Sequence, residues 1–279
     1  MNETLLDDFI NIPSVDGNET ANAQAISLVR DYLTELGFTV RVEGSELTDQ
    51  PTLIARYAGR RSTNKIVLYG HYDVAPVPDP TLWLNEQPFC LQEQAGRYYG
   101  RGVADNKGPL IARMQAVAGL LQTNEPVPEI LWLIQGEEEV ITETPVAKTI
   151  FSEVIGAFGG QVFVDETGFN DLDTREQIAF LWSPDIKEEA LSHWEPLLQE
   201  VLAAPRIEYR HLNKFNGIGA CPLLSNLPGK AVYIGFGPND RLHQIHRDDE
   251  SLDKTKLAIH EEQFHTFLAM YATFPEFDQ

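Results

Sequence analysis

Hydrophobic and polar positions follow two periods along this chain, and the switches between them outline its elements. Ala25, Ile26, Val29, Leu33 and Leu36 recur at helical spacing, predicting a helix over Glu19–Leu36 that ends at Gly37. A shorter helix is expected over Thr4–Asn11, and strands over Phe38–Glu43 and Thr52–Tyr57. Lys65–His71 is an unbroken apolar run rich in β-branched residues and closed by Gly70 and His71, the pattern of a strand buried on both faces. Ile130–Gln135, Gln161–Val164 and Ala231–Phe236 repeat it. Between these runs lie an irregular loop with Pro76, Pro78 and Pro80, a hairpin turning at Ala95-Gly96, and helices over Pro109–Gln122 and Pro145–Glu153. Gln177–Trp182 and Arg206–His211 are further strand candidates, with a helix over Ile186–Leu202 between them and a closing helix over Leu252–Phe274. Buried strands alternating with helices predict an α/β fold: a mostly parallel twisted sheet with helices on both faces, in a single domain over residues 1–279.

Composition narrows the class. Of 279 residues, 43% are hydrophobic, enough for a sizeable core. The formal net charge of -21 repels nucleic-acid phosphates and anionic membranes, so neither is an expected partner. Two cysteines are too few for a disulfide framework, and no apolar run approaches the length of a membrane span or signal segment. A cytoplasmic protein is the expectation.

Three of the apolar strands, Lys65–His71, Ile130–Gln135 and Gln161–Val164, share one feature: an acid or a histidine stands at or just after the end of each. In open α/β sheets, ligands bind outside the carboxyl ends of the strands. The residues so placed are His71, Asp73, Asp105, Glu138, Glu139, Asp165 and His246, two imidazoles and five carboxylates. Five carboxylates crowded together repel unless cations neutralise them, and a mixed nitrogen and oxygen donor set suits zinc, with cobalt or manganese as alternatives. A bridging carboxylate can hold two such ions about 3.5–4 Å apart, where both polarise a shared water and a substrate carbonyl.

Gly70-His71-Tyr72-Asp73, Gly100-Arg101-Gly102-Val103-Ala104-Asp105-Asn106-Lys107-Gly108, Gly136-Glu137-Glu138-Glu139, Val164-Asp165-Glu166 and His246-Arg247-Asp248-Asp249-Glu250 resemble, in order, the five signatures of the M20 metallopeptidases. That family includes carboxypeptidases, dipeptidases and aminoacylases. The resemblance extends from about Leu5 to the C-terminus. It implies that His71 and Asp165 hold one divalent metal, Glu139 and His246 a second, and Asp105 bridges the two. It further implies that Asp73 orients the His71 ring, that Glu138 is the general base, and that the Asp105–Asn106 peptide is cis. Glu166 competes with Asp165 as ligand, and His243 with His246. Glu137 and Glu166 are read as solvated or supporting carboxylates.

Members of the family usually carry a lid domain inserted after the third metal-binding strand, which supplies an oxyanion-stabilising histidine and contacts to the substrate carboxylate. Only 80 residues separate Asp165 from His246, already filled by the predicted elements, so no inserted lid is expected. Arg210, His211 and Lys214 lie in that stretch and are the candidate substrate-binding groups, while the Pro76–Leu84 loop is expected to cover part of the open site. A hydrolase of the amide bond in a small peptide or N-acyl amino acid is the expectation, as a monomer. An M28-like aminopeptidase, or a metal-binding protein without catalysis, is the alternative.

Overall fold

The computed structural model describes residues 2–140, 146–210 and 222–275. Two helices, α1 (Glu3–Ile10) and α2 (Glu19–Glu35), precede strands β1 (Thr39–Glu43), β2 (Thr52–Tyr57) and β3 (Lys65–His71). The hairpin β4 (Gln92–Gln94) and β5 (Arg97–Tyr99) turns through Ala95 and Gly96, both at positive φ, as its twist requires. Helix α3 (Lys107–Gln122), β6 (Glu129–Gln135), α4 (Val146–Phe158) and β7 (Val162–Asp165) follow. Next come β8 (Phe169–Asn170), β9 (Gln177–Trp182), α5 (Glu188–Leu191), α6 (Glu195–Val201) and β10 (Pro205–Glu208). The remainder is α7 (Pro222–Ser225), β11 (Val232–Gly235), β12 (Asn239–Asp240), β13 (Ser251–Asp253) and α8 (Lys254–Tyr271).

Ten strands form the main sheet in the order β1-β2-β6-β3-β7-β11-β9-β8-β12, with β10 beside β9. Its centre, β6-β3-β7-β11, is parallel, and its flanks turn antiparallel at β2 and β9. The central register places His71 opposite Gln135 and Asp165 opposite Gly235, so these strands end along one edge. Alternation along β3 explains why its run is unbroken: Ile66 and Leu68 join the core beneath α1, α2, α3 and α8, while Val67 and Tyr69 join the one covered by α4. A smaller sheet, β13-β5-β4, carries the segment around Glu250 against that edge.

Two expected elements differ. The helix over Ile186–Leu202 is broken into α5, a 3-10 turn at Ser192–Trp194, and α6, because Pro196 in the first turn of α6 has no N–H to continue the helix. The proline-rich loop folds as two 3-10 turns. It is pinned by Trp83, whose ring lies 4.9 Å from the Arg101 guanidinium, and by the Leu84 N–H, which donates to Asp249 Oδ1 at 2.7 Å. Among the described residues no helix is long and apolar enough to cross a membrane.

Candidate active site

Strand ends and the loops after them bring the predicted residues to one edge of the sheet. His71 closes β3, and its buried ring is held by Asp73: Nδ1 lies 3.1 Å from the Asp73 carbonyl oxygen and 3.3 Å from its Oδ1. A carbonyl only accepts, so Nδ1 carries a proton and Nε2 faces Asp105 Oδ1 at 2.9 Å. Asp73 also accepts the Glu139 N–H on Oδ2 at 2.8 Å, tying the loop after β3 to the loop after β6. Gly136 opens that second loop because a Cβ there would strike the Tyr72 hydroxyl. Asp105 precedes α3 and reaches both histidines, with Oδ2 3.3 Å from His246 Nε2. His246 Nε2 is in turn 2.9 Å from Glu139 Oε2. The Asp105–Asn106 peptide is cis, and Asn106 Oδ1 accepts the His71 N–H at 3.3 Å.

Two groups of donor atoms result, His71, Asp105 and Glu166 in one and Asp105, Glu139 and His246 in the other, each group within 4.8 Å. Asp105 is common to both. Each group also contains a buried carboxylate oxygen without a hydrogen-bond partner among the described residues, Glu166 Oε2 in the first and Glu139 Oε1 in the second. Orphaned buried acceptors of this kind are costly unless a cation meets them. The donor set, the shared aspartate and the orphaned oxygens together fit a pair of divalent cations.

The structure separates the two competing acids, Asp165 and Glu166. Asp165 ends β7 on the same face as Phe163, where its carboxylate accepts from the Tyr233 hydroxyl at 2.7 Å, from the Thr167 N–H at 2.8 Å and from the Thr167 hydroxyl. Glu166, one residue past the strand, lies with His71 and Asp105, in a group that does not include Asp165. The aspartate-any-threonine spacing was the available signal, since such an aspartate can satisfy itself within its own turn.

Of the three candidate substrate-binding groups, Arg210 is not brought to the site. β10 runs antiparallel to β11, so Arg210, beyond its end, is carried away from the edge where the central strands finish. Its guanidinium pairs with Glu208 and stacks 5.6 Å from the Phe180 ring. His211 and Lys214 lie outside the described residues. Glu137 accepts the Val146 N–H at 2.9 Å at the start of α4, a local structural role.

Ionisation follows from these contacts. Against desolvation, Asp105 and Asp73 hold His71 well above the usual imidazole range. Hydrogen bonds to Asp105 and Glu139 lift His246 to about 10. Also against desolvation, both histidines hold Asp105 below the usual carboxylate range. Desolvation, reinforced by neighbouring carboxylates, raises Glu139 to about 7 and Glu166 to about 8. Desolvation likewise raises Glu138; His71 opposes the shift, and Asp105 and Asp73 add to it. An elevated carboxylate beside the shared aspartate is suited to accept and return a proton.

Glu250 was visible in the sequence only as an acid following His246. It is buried, and its two oxygens accept from Arg101 at 2.7 Å and from the N–H groups of Gly102, Ala104 and Asp105 at 3.1, 2.8 and 3.0 Å. One carboxylate thereby fastens the loop carrying Asp105 to the loop carrying His246.

The fold is shared with a dipeptidase of Saccharomyces cerevisiae, Dug1p, at a TM-score of 0.73 and 13% identity, over 98% of this chain and 96% of that one. In sequence, the chain is 34% identical over 140 residues to a succinyl-diaminopimelate desuccinylase of Rickettsia bellii, which covers 50% of this chain and 35% of the relative. It is 32% identical over 126 residues to the Beta-Ala-His dipeptidase of Mus musculus, covering 42% of this chain and 25% of that protein. The matches thus span about a third or less of these relatives' length. The family model for peptidase family M20/M25/M40 matches residues 67–274, a stretch that holds every strand-end residue described above, and the chain belongs to that family.

Proposed function

We propose that the chain is a two-metal hydrolase of the amide bond in a small peptide or N-acyl amino acid, working as a single catalytic domain without an inserted lid and as a monomer. The observation that carries this reading is the pair of three-residue groups sharing Asp105, with Glu138 beside them. His71 and Glu166 would hold one cation, Glu139 and His246 the other, and Asp105 both. Two zinc ions, or cobalt or manganese, would polarise the scissile carbonyl and acidify the attacking water. Glu138 takes the proton from that water and delivers it to the leaving nitrogen. Asp73 keeps the His71 ring oriented with Nε2 toward the centre. The substrate lies in a cavity of about 410 Å³ whose lining includes Asp105 and Glu166, with Phe169, Leu172 and Ile245 as its apolar wall.

Family membership and the names of the desuccinylase and dipeptidase relatives support the bond type. Zinc-loaded protein is expected to hydrolyse members of a panel of dipeptides and N-acyl amino acids, to lose turnover on chelation and to regain it with zinc. Two equivalents of bound metal with no turnover of either class would leave a metal-binding protein without this activity.

A further inference from the structure

The cavity beside Asp105 presents a difficulty for an amide. Five of its lining residues are carboxylates, whereas a peptide entering it presents a carbonyl oxygen that needs a hydrogen-bond donor. Most donors in the wall are already committed. Asn170 Nδ2 donates to the Pro238 and Asn239 carbonyls at 3.0 and 3.3 Å, and Asn239 Nδ2 to the Ala104 carbonyl at 3.1 Å. Thr167 is engaged with Asp165, and Arg241 is exposed and paired with Asp173 at 2.5 Å.

His243 is different. Its half-buried ring lines the same cavity, and Nδ1 lies 2.9 Å from the backbone nitrogen of Ile245. A backbone N–H can only donate, so Nδ1 holds a lone pair and the ring proton sits on Nε2. The turn that presents the ring is fixed on both sides, by the His243 N–H to the Asp240 carbonyl at 3.1 Å and by the Ser251 N–H to the His243 carbonyl at 2.8 Å. Nε2, across the ring from Nδ1, has no hydrogen-bond partner among the described residues. The result is a neutral donor of fixed tautomer on the wall of an otherwise acidic cavity.

We infer that His243 Nε2–H donates to the carbonyl oxygen of the scissile amide and stabilises the charge that develops there. The inference rests on the amide-hydrolase reading and adds to it a residue that is not among the metal-holding groups. A pre-oriented donor aimed at developing charge is worth about 10²–10³ in kcat.

The test compares zinc-loaded wild type, His243→Ala and His243→Gln by metal content, by kcat and KM on a dipeptide, and by affinity for a phosphinate dipeptide whose tetrahedral P–O replaces the carbonyl. Nitrogen NMR of the wild type reads the ring tautomer. The expected result is an Nε2–H ring and equal metal content in all three proteins. In His243→Ala, kcat and phosphinate affinity should each fall by about 10²-fold with KM changed by less than about threefold, and the amide N–H of His243→Gln should restore about tenfold. An Nδ1–H ring, loss of metal from His243→Ala, or unchanged phosphinate affinity at full metal content would overturn the inference. A wild type inert toward every peptide removes the hydrolase reading, whereas an active wild type matched by His243→Ala removes the His243 donor alone.

Discussion

Asp165 and Glu166 are adjacent acids in opposite surroundings. Both were legible as a pair at the end of an apolar strand, but the choice between them depended on Tyr233, 68 residues later in the chain, whose hydroxyl claims Asp165. Glu166 Oε2 is left buried and without a hydrogen-bond partner among the described residues. Glu166→Gln is therefore expected to lose one of the two metal equivalents, or at least about tenfold in affinity at that site, while Asp165→Asn keeps both. Metal titration of the two variants decides it, and retention in Glu166→Gln with loss in Asp165→Asn would restore the assignment made from sequence. His71, Asp105, Glu139 and His246 meet at one edge, because each follows a strand end or motif whose position already fixed the edge it reaches.

Elements were legible where periodicity was strong. The four central strands read as apolar runs because both faces of that part of the sheet are covered. What could not be read was how distant loops are joined. Glu250 lies 145 residues beyond the Asp105 N–H that it accepts, and no local pattern announces that contact. Its carboxylate is also the partner of the buried Arg101 guanidinium at 2.7 Å. Glu250→Ala would leave that cation unpaired and free three N–H groups, at a cost of about 3–5 kcal/mol. Denaturant unfolding of the metal-free protein measures this directly, and a loss under about 1 kcal/mol would show that the two loops are held by other contacts. Arg210 illustrates the converse limit: a basic residue in the right stretch of sequence sits at the end of a strand whose direction is set by antiparallel pairing with β11 through β9.

For the whole molecule, a formal charge of -21 and a centre rich in acids make stability depend on both pH and metal. Glu139 and Glu166 ionise near 7 and 8 in the folded chain against an ordinary 4.5, so the folded state binds their protons more tightly than the unfolded one. Their contribution is full below pH 4.5 and is lost as pH rises through about 7 to 8. His246, raised to about 10 from 6.5, has the same sign over a higher window and is discounted for its exposure. Cations bind the deprotonated ligands, so the melting-temperature gain on adding zinc should be small at about pH 5 and larger at about pH 8. A gain that is flat, or larger at the lower pH, would contradict a metal centre built on these carboxylates. In the proposed function the cluster at the sheet edge is catalytic and Glu138 moves the proton. The most direct measurement is turnover of a hydrolysed dipeptide by wild type and Glu138→Gln at equal, full metal content. A fall of about 10²–10⁴-fold is the predicted result, and turnover within about threefold of wild type would show that Glu138 is not the general base.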